Sequence, residues 1–593
     1  MKDTVRHRPI PSHFSRLRSL ALSRLENSAG RLACLALLVA LAAAQSAGAV
    51  QISKMLAPGV SLAQEITSGD AQSALIANIV TVDPAAPSVR LKAAIGRDVV
   101  YVDEPAKGRE TISSLAGRKR ALVAVNCDFF PFTGDPLGVC VVDGELVSEP
   151  DHNRVAVAVT KSPGIFFDNP ILSAALTLRS GIVRQIDGIN RDRATNQVVV
   201  YTPTFGSSTR TKHKGTEVTL ASTDLPVRIG KPLALTVIEV RTDAVDTPIP
   251  PGGMVISAGG PAAWFLKENL KAGDALTVRF DIKSACGADW TQVEQAASGG
   301  PWLLKDGKEF IDYVAQGFSA SFSTTRHPRT ALSLTSDGKL LIVTVDGRQT
   351  ISRGISLPDL AALMKRLGAV SAINLDGGGS TTLSIRGAVA NTPSEGIERP
   401  VANALLVFAQ PSPTDPLPGL TIVAPTGDLP SGQGVQLRLV SGDDVRPLSR
   451  EQLDKVTWGV SGGIGFVNQE GYFIPIKPNR GSVVAFYGSQ RVSADVTVVP
   501  GPPAVLRAVL TPDKHDPLRA SLSITVFDSN YNRLGSQQVA VEVTGGTPDA
   551  AAITTNDKGE ASVGITWDPA SAERSVRTSI GDLCTVVTPE AAK

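Results

Sequence analysis

The sequence predicts an α+β protein: a mixed β-sheet region with few helices comes first, and all-β sandwich modules follow it. Glycine and proline are plentiful, at 54 and 40 of the 593 residues, whereas only 5% of the residues are aromatic. This composition favours short strands joined by turns. Short apolar runs recur along most of the chain, and only one segment has the clear periodicity of a helix. A chain of this length is expected to form about three or four domains.

The first 49 residues have the features of a signal peptide. They contain seven basic and two acidic residues and an apolar run from Leu32 to Ala44. That run is about 13 residues long, shorter than the roughly 20 residues that span a bilayer. Ala47-Gly48-Ala49 has the small-x-small pattern of a cleavage site. We therefore expect cleavage after Ala49 and a secreted, periplasmic or cell-surface bacterial protein with no transmembrane segment; an uncleaved anchor is the alternative.

The charge of the rest of the chain argues against a nucleic-acid partner. The whole sequence carries +2 and the first 49 residues carry +5, which leaves −3 for the remainder. A protein that binds the phosphate backbone of nucleic acid needs a basic surface. We therefore expect no nucleic-acid partner.

The clearest boundary in the chain is the proline-rich stretch at residues 411–419, which we interpret as a semi-rigid linker. The region before it, from 57 to 410, is expected to be one mixed domain. Residues 420–500 and 501–593 show the short alternating runs of β-sandwiches. Ser521 to Trp567 resembles bacterial immunoglobulin-like modules. Neither module contains a chemical motif, so both are expected to act as spacer or stalk, with carbohydrate binding as the alternative.

Within residues 57–410 several elements can be predicted in order. Ala121–Val125 is typical of a buried strand, and two hairpins are expected around Asp143-Gly144 and Asp337-Gly338. The single clear helix begins after Ser356, which can cap it, and ends at Gly368. A strand over residues 369–375 follows.

The loop after that last strand is the most informative segment. Asn374 and Asp376 are two residues apart and share one face of the strand. The triplet Gly377-Gly378-Gly379 then lets the backbone approach a ligand, and its amides could form an anion-binding nest. No lysine or helix follows, so this is not a Walker loop. A flexible strand-to-strand turn is the alternative interpretation.

Five ordered segments carry a family resemblance. They are 124–130 with 134–138, 298–301, 327–331 with 346–348, 374–380, and 391–394 with 398–403. Together they resemble the phosphodiester glycosidase family from about Ala57 to Phe408. The resemblance implies an enzyme, a glycoside hydrolase that cleaves the glycosidic bond of a carbohydrate or glycan phosphodiester.

The chemistry that the resemblance implies needs cations for the phosphate and carboxylates for the sugar. The candidate phosphate-binding arginines are Arg329 and Arg399, with structural ion pairs as the alternative. Asp376 is the first choice for nucleophile or base, followed by Asp128 and then Asp346, which also fits a plain turn. His327 is a candidate acid or base, or a surface histidine. The other candidate substrate-binding residues are Asn126, Asn374, Ser380, Gly299, Gly300, Gly377, Gly378 and Gly379.

Two further expectations concern metals and cysteines. No catalytic metal is expected, although Asp128, Asp346 and Asp376 could gather a structural calcium ion. Cys127 and Cys140 lie 13 residues apart and could form a disulfide. Two other functions remain open: a glycosidase of the same fold on a phosphate-free glycan, and a non-catalytic glycan-binding surface protein.

Overall fold

The structure, a computed structural model, describes residues 49–589 except for 69–72, 132, 152, 163 and 443–444. The predicted signal peptide therefore lies outside the described residues, apart from the backbone of Ala49. No helix within the described part of the chain is long and apolar enough to cross a membrane. The predicted mixed, mainly β architecture is confirmed, and β-rich modules follow it.

The central sheet belongs to the region that precedes residue 411. Its eight strands are antiparallel, and in spatial order they are Ala49–Ala57, Val60–Thr67, Leu75–Val82, Leu340–Val345, Arg329–Thr335, Ala369–Asn374, Trp302–Lys305 and Lys308–Glu309. The hairpin predicted at Asp337-Gly338 joins two of these strands, and Gly338 takes a φ of +79° in the turn.

Five α-helices are found in the described residues, and the fourth of them covers one face of the central sheet. They are α1 (Ile112–Lys119), α2 (Gly260–Asn269), α3 (Ala320–Thr324), α4 (Leu357–Arg366) and α5 (Arg450–Asp454). Short 3₁₀ turns cover Gly96–Asp98, Trp290–Gln292 and Gly378–Ser380. Helix α4 begins as predicted, because the Ser356 hydroxyl accepts a hydrogen bond from the amide of Asp359. Its buried Leu360 and Met364 each contribute about 1.5–3 kcal/mol to stability.

A second, nine-stranded sheet joins the catalytic region to the C-terminal part. We call it the shared sheet. Its strands in spatial order are Leu429–Pro430, Gln490–Val499, Asn479–Tyr487, Val456–Ser461, Ala388–Val389, Leu383–Ile385, Val123–Asn126, Asn403–Phe408 and Arg90–Ile95. The junction is the pair Val389 and Val460, so the first C-terminal module extends a sheet of the catalytic region.

Two further sheets are formed by the part of the sequence that lies between the motifs at residues 124–138 and 298–301. The smaller has the strands Glu145–Ser148, Cys140–Val142, Val293–Ser298, Ala156–Thr160 and Ile165–Asp168. The larger has Val183–Gln185, Ile171–Leu178, Ala275–Lys283, Leu233–Ala244, Gly215–Ala221, Gly253–Ala258, Val198–Tyr201 and Gly188–Ile189. The hairpin predicted at Asp143-Gly144 forms, and both residues have positive φ, as that turn requires.

The remaining strands belong to the C-terminal modules. In the first module they are Thr421–Val423, Arg438–Ser441 and Arg446–Pro447 in one sheet, and Val435–Gln436, Tyr472–Pro475 and Gly465–Val467 in another. In the second they are Val505–Pro512, Arg519–Phe527, Glu560–Trp567 and Gly546–Pro548, facing Ala552–Thr554, Gln538–Thr544, Ser575–Ile580 and Leu583–Val587. Both four-stranded sheets supply side chains to one core, which makes the second module a sandwich.

The disulfide that the sequence left open between Cys127 and Cys140 is not formed. Cys127 and Cys140 are both free and buried. Their side chains pack in different core clusters: Cys127 belongs to the cluster that contains Trp302, and Cys140 to the one that contains Phe205. Burial, the largest influence, raises the pKa of the Cys140 thiol to about 12.

Candidate active site

Two strands from different sheets end at the same place and bring two carboxylates together. Asp128 follows a strand of the shared sheet, and Asp376 follows a strand of the central sheet. The amide of Asp376 donates to the carbonyl of Cys127 at 2.8 Å, and Asn126 Nδ2 donates to the carbonyl of Asp376 at 2.7 Å. These two bonds lock the strand ends to each other, so the tertiary fold sets the position of the carboxylate pair.

Asp128 is almost completely buried and well hydrogen-bonded. The amides of Phe129 and Gly138 donate to its two oxygens at 2.8 and 2.7 Å, and Arg154 Nη1 lies 4.0 Å from Oδ1. Burial nevertheless raises the pKa of Asp128 to about 7, and the negative charge of Asp376 adds to the increase. Asp128 therefore holds a proton at a pH where most aspartates are ionised.

The pKa of Asp376 is raised less than that of Asp128. Burial lifts its pKa to about 6, while hydrogen bonds from the Ser380 hydroxyl and the Gly377 amide and the charges of Arg399 and Arg154 pull the value down. Two neighbouring carboxyl groups whose pKa values are held apart form an acid and base pair. Asp376 is therefore the first of the two to ionise as the pH rises.

Arg154 lies beside this pair and was not predicted from the sequence. Its guanidinium is within 4.8 and 4.9 Å of the ring centres of Phe129 and Phe318, and its side chain is only 12% exposed. Nε is 3.6 Å from Asp151, yet neither Nε nor Nη1 has a hydrogen-bond partner. Buried donors without partners are uncommon in proteins, and here they place a positive charge between the carboxylates of Asp128 and Asp151.

Two more arginines, Arg399 and Arg348, lie beside the glycine loop at residues 377–379. Arg399 Nη1 donates to Ser380 Oγ at 3.4 Å, and Arg399 is also ion-paired with Glu395. The guanidinium of Arg399 and the carboxylate of Glu395 occupy the space that a Cβ atom on Gly379 would fill, so a larger residue there would displace them.

Arg348 completes this side of the site. A Cβ atom on Gly378 would lie 3.0 Å from Arg348 Nη2, and the same nitrogen is 3.2 Å from Nδ1 of His327. Burial is the first cause of a lowered His327 pKa, and the charges of Arg329 and Arg348 add to it. His327 is therefore held mainly neutral beside a cation.

The comparisons with known proteins agree with this geometry. Residues 235–408 match the sequence model of the family described as phosphodiester glycosidase. Those residues belong to the phosphodiester glycosidase family. The family resemblance predicted from the motifs is thus confirmed for this segment. Asp128 and Arg154 of the candidate site precede the matched residues.

Two curated relatives support the assignment over a short stretch. The chain is 40% identical over 116 residues to the SPbeta prophage-derived uncharacterized protein YomE of Bacillus subtilis, covering 20% of this chain and 18% of the relative. It is 34% identical over 110 residues to the N-acetylglucosamine-1-phosphodiester alpha-N-acetylglucosaminidase of Mus musculus, covering 17% and 21%. The chain therefore matches about a fifth of the length of these relatives.

Part of the fold also has a solved counterpart. A hypothetical protein from Synechocystis superposes with a TM-score of 0.51 at 24% identity, covering 62% of this chain and 65% of that protein. This likeness concerns the fold alone.

Several residues that were predicted to bind the substrate form hydrogen bonds within the protein instead. Asn374 is fully buried and donates to the carbonyls of Gly300 and Leu375. The amides of Gly299 and Gly300 donate to the carbonyls of Val155 and Asn374, so neither points to a substrate. Asn126 bridges the two sheets, because its Oδ1 accepts from the Thr330 hydroxyl and the Thr382 amide.

The glycine loop is less open to an anion than its sequence indicates. The amide of Gly377 donates to the carboxylate of Asp376 at 2.8 Å, and the amide of Gly378 donates to the carbonyl of Pro328 at 2.9 Å. The predicted nest of three free amides is therefore not formed. The glycines serve mainly to admit the guanidinium groups of Arg348 and Arg399.

The polar groups of Arg329 and Asp346 are used within the protein. Arg329 is 1% exposed and donates to backbone carbonyls of α3, of Thr325 and of Ile355. Burial, with the charge of Arg348, lowers its pKa to about 10. Asp346 is fully buried and accepts from Asn391 Nδ2 and the Thr392 amide, both at 3.0 Å. Both residues anchor loops around the site.

No group of three or more His, Cys, Asp or Glu side chains among the described residues is arranged to hold a metal ion. The two cationic residues that sequence reasoning missed differ in their signals. Arg348 lies within the Asp346-Gly347-Arg348 motif and could have been chosen from it. Arg154 lies outside any motif, and only the contact with Asp128 singles it out.

Proposed function

We propose that this protein is an exported enzyme that hydrolyses the glycosidic bond of a sugar-phosphate diester, of the N-acetylglucosamine-phosphate type or within a cell-surface phosphoglycan. One observation carries the proposal: the buried Asp128 and the half-buried Asp376, with pKa values raised to about 7 and about 6, lie beside Arg154 and Arg399. Asp376 and Arg399 lie within residues 235–408, which match the phosphodiester glycosidase family. The proposal of export rests on the predicted signal peptide.

The arginines suit the phosphate end of such a substrate. When the bond between the anomeric carbon and the phosphate oxygen breaks, a phosphodiester monoanion becomes a phosphate monoester that carries a second charge. Preorganised cations stabilise charge that develops in the transition state. Arg154 supplies positive charge beside Asp128, and Arg348 and Arg399 lie at the glycine loop, where their guanidinium groups can donate to the phosphate oxygens.

The carboxylates suit the sugar end. Asp376 is ionised first and can stabilise positive charge at the anomeric carbon, attack that carbon, or activate water. Asp128 retains a proton up to about pH 7 and can protonate or hydrogen-bond the departing oxygen. Overall, the oxygen of water becomes bonded to the anomeric carbon, the glycosidic bond breaks, and the phosphate monoester leaves.

The decisive experiment measures free sugar released from an N-acetylglucosamine α-phosphate diester by the mature chain, residues 50–593. We expect Asp376→Asn to lower kcat by on the order of 10³-fold, within the range of a lost acid or base catalyst. Asp337→Asn is the matched control, because Asp337 lies in an exposed hairpin turn and is paired with Lys339. A chelator-treated sample tests for metal dependence.

The same reaction run in ¹⁸O-labelled water identifies which bond breaks. Glycosidic cleavage places the label in the sugar, whereas attack at phosphorus places it in the phosphate. Label in the phosphate, or equal activity of Asp376→Asn and wild type, would refute the proposal. Release of sugar from a phosphate-free glycoside at the same rate would instead support a glycosidase that does not use the phosphate.

A further inference from the structure

The C-terminal modules pack against the catalytic region over an apolar contact. Ile76 of the central sheet and Phe466 and Ile476 of the first module form one buried cluster, which Ile351 joins from the loop after Arg348. The backbone contact between Val389 and Val460 makes the sheet continuous across the same boundary. A flexible stalk would have neither contact, so the modules have a fixed place beside the site.

The first module touches the segment that carries Arg399. A Cβ atom on Gly463 of the module would collide with the carbonyl of Gly396. Gly396 also faces the side chain of Lys477, at 3.3 Å from the position of its missing Cβ. The segment from 393 to 399 is thus enclosed between the module and the glycine loop, where Arg399 meets Ser380.

The second module touches the loop that carries Arg348. The hydroxyl of Thr350 donates to Oδ1 of Asn530 at 2.6 Å. Asn530 is itself held, because its Nδ2 donates to Ser431 Oγ at 2.9 Å in the first module. Gln349 Nε2 donates to the carbonyls of Thr392 and Pro393 at 3.1 and 3.3 Å, which links the two loops to each other.

We propose that the two C-terminal modules are positioning elements for the phosphate end of the active site. They hold Arg399 through the contact of Gly463 with Gly396, and Arg348 through the hydrogen bond of Thr350 with Asn530. This inference rests on the proposed function, because it assigns both arginines to the phosphate group. It replaces the expected spacer role with a direct influence on substrate binding.

The expected effect is on substrate phosphate recognition. Misplacement of a binding group by about 1 Å can cost on the order of 10²-fold in rate, even when the change lies far from the chemistry. Arg154 does not lie in either of these loops. Loosening the two loops should therefore raise KM for the phosphodiester and weaken the binding of a sugar phosphate, while the fold persists.

The first test uses two glycines of the same module. Gly463→Ala places a methyl group against the Gly396 carbonyl, whereas Gly427→Ala meets nothing within 4 Å. Both glycines have positive φ, +64° and +91°, so the control substitution introduces backbone strain as well, and at least as much as Gly463→Ala does. We expect Gly463→Ala to raise KM about tenfold or more, and Gly427→Ala to leave it unchanged.

The second test uses the hydroxyl of Thr350. Thr350→Val removes the donor to Asn530, and Thr350→Ser keeps it. We expect the valine variant to raise KM and the serine variant to restore the wild-type value. Asn556→Ala is the control in the second module, because Asn556 only caps its own turn through Lys558 and Glu560.

Calorimetric binding of N-acetylglucosamine 1-phosphate separates this inference from the proposed function. If wild type binds the ligand and Gly463→Ala and Thr350→Val bind it more weakly, the positioning role holds, even if no diester is hydrolysed. If all variants bind as wild type does, or wild type does not bind, the inference is refuted. Equal losses in Gly427→Ala and Asn556→Ala would show a general loss of stability and would also refute it.

Discussion

Replacement of Arg154 by methionine should move the alkaline limb of the pH–activity profile. Methionine keeps the apolar contact with Phe129 and Phe318 but removes the positive charge 4.0 Å from Asp128. At that distance two unit charges interact by about 4 kcal/mol for an effective dielectric constant of about 20, which corresponds to about three pH units. Asp151, 3.6 Å from Nε, neutralises part of the charge.

We therefore expect the pKa of Asp128 to rise by about one to two pH units from its value of about 7. If protonated Asp128 is the active form, the alkaline limb of kcat/KM moves to higher pH by the same amount. The absolute rate falls as well, because the site loses a positive charge.

The assay is kcat/KM for the phosphodiester between about pH 5 and about pH 9. Arg154→Lys is the matched control, since it retains the charge and should leave the limb near its wild-type position. A thermal melt of each variant establishes that it is folded. An alkaline limb that stays in place in Arg154→Met, with the protein folded, would refute the assignment of that limb to Asp128.

The remaining predictions separate stability from catalysis at residues around the site. The pKa of Asp346 is about 7 in the folded state and 3.8 for the free side chain. Its contribution to stability is therefore complete below pH 3.8 and is lost as the pH rises through 7. The free energy of unfolding should fall by about 4 kcal/mol over this range. In Asp346→Asn the free energy of unfolding, measured with denaturant, should no longer fall over this pH range. An equal fall in the wild type and the variant would contradict this. Arg329→Met should cost at least about 3 kcal/mol of unfolding free energy, because it leaves buried carbonyls unpaired. The side chain of Arg399 is 37% exposed. Arg399→Met should therefore change the free energy of unfolding by less than about 1 kcal/mol yet lower kcat/KM at least tenfold. A large loss of stability in Arg399→Met and a large loss of activity alone in Arg329→Met would contradict these assignments.

Local signals in the sequence were sufficient for elements whose contacts are local. The Ser356 cap of α4, the turn at Asp143-Gly144 and the strand before Asp376 depend on neighbouring residues, and all three form as predicted. The family motif also identified Asp376 and Arg399, which the structure places at the site. These features are encoded within a few residues of each other, so the chain order reveals them.

Sequence reasoning failed where a side chain has a distant partner. Asn374 and Arg329 have the residue types of ligand-binding groups, but their hydrogen bonds go to backbone carbonyls from other segments. Cys127 and Cys140 are close in sequence, yet they pack in separate clusters. The partners of a buried polar group are set by the fold, and no pattern of residue types shows them.

The sequence by itself determined the mixed β architecture, the family of residues 235–408 and the carboxylate at Asp376, because each depends on composition or on a contiguous motif. Only the tertiary structure decided that Asp128 and Arg154 lie beside Asp376, since two sheets must meet for their strand ends to converge. It also decided that the C-terminal modules touch the loops of Arg348 and Arg399. The physical reason is that burial and charge, which set the pKa values of the pair, act through space and do not follow the order of the chain.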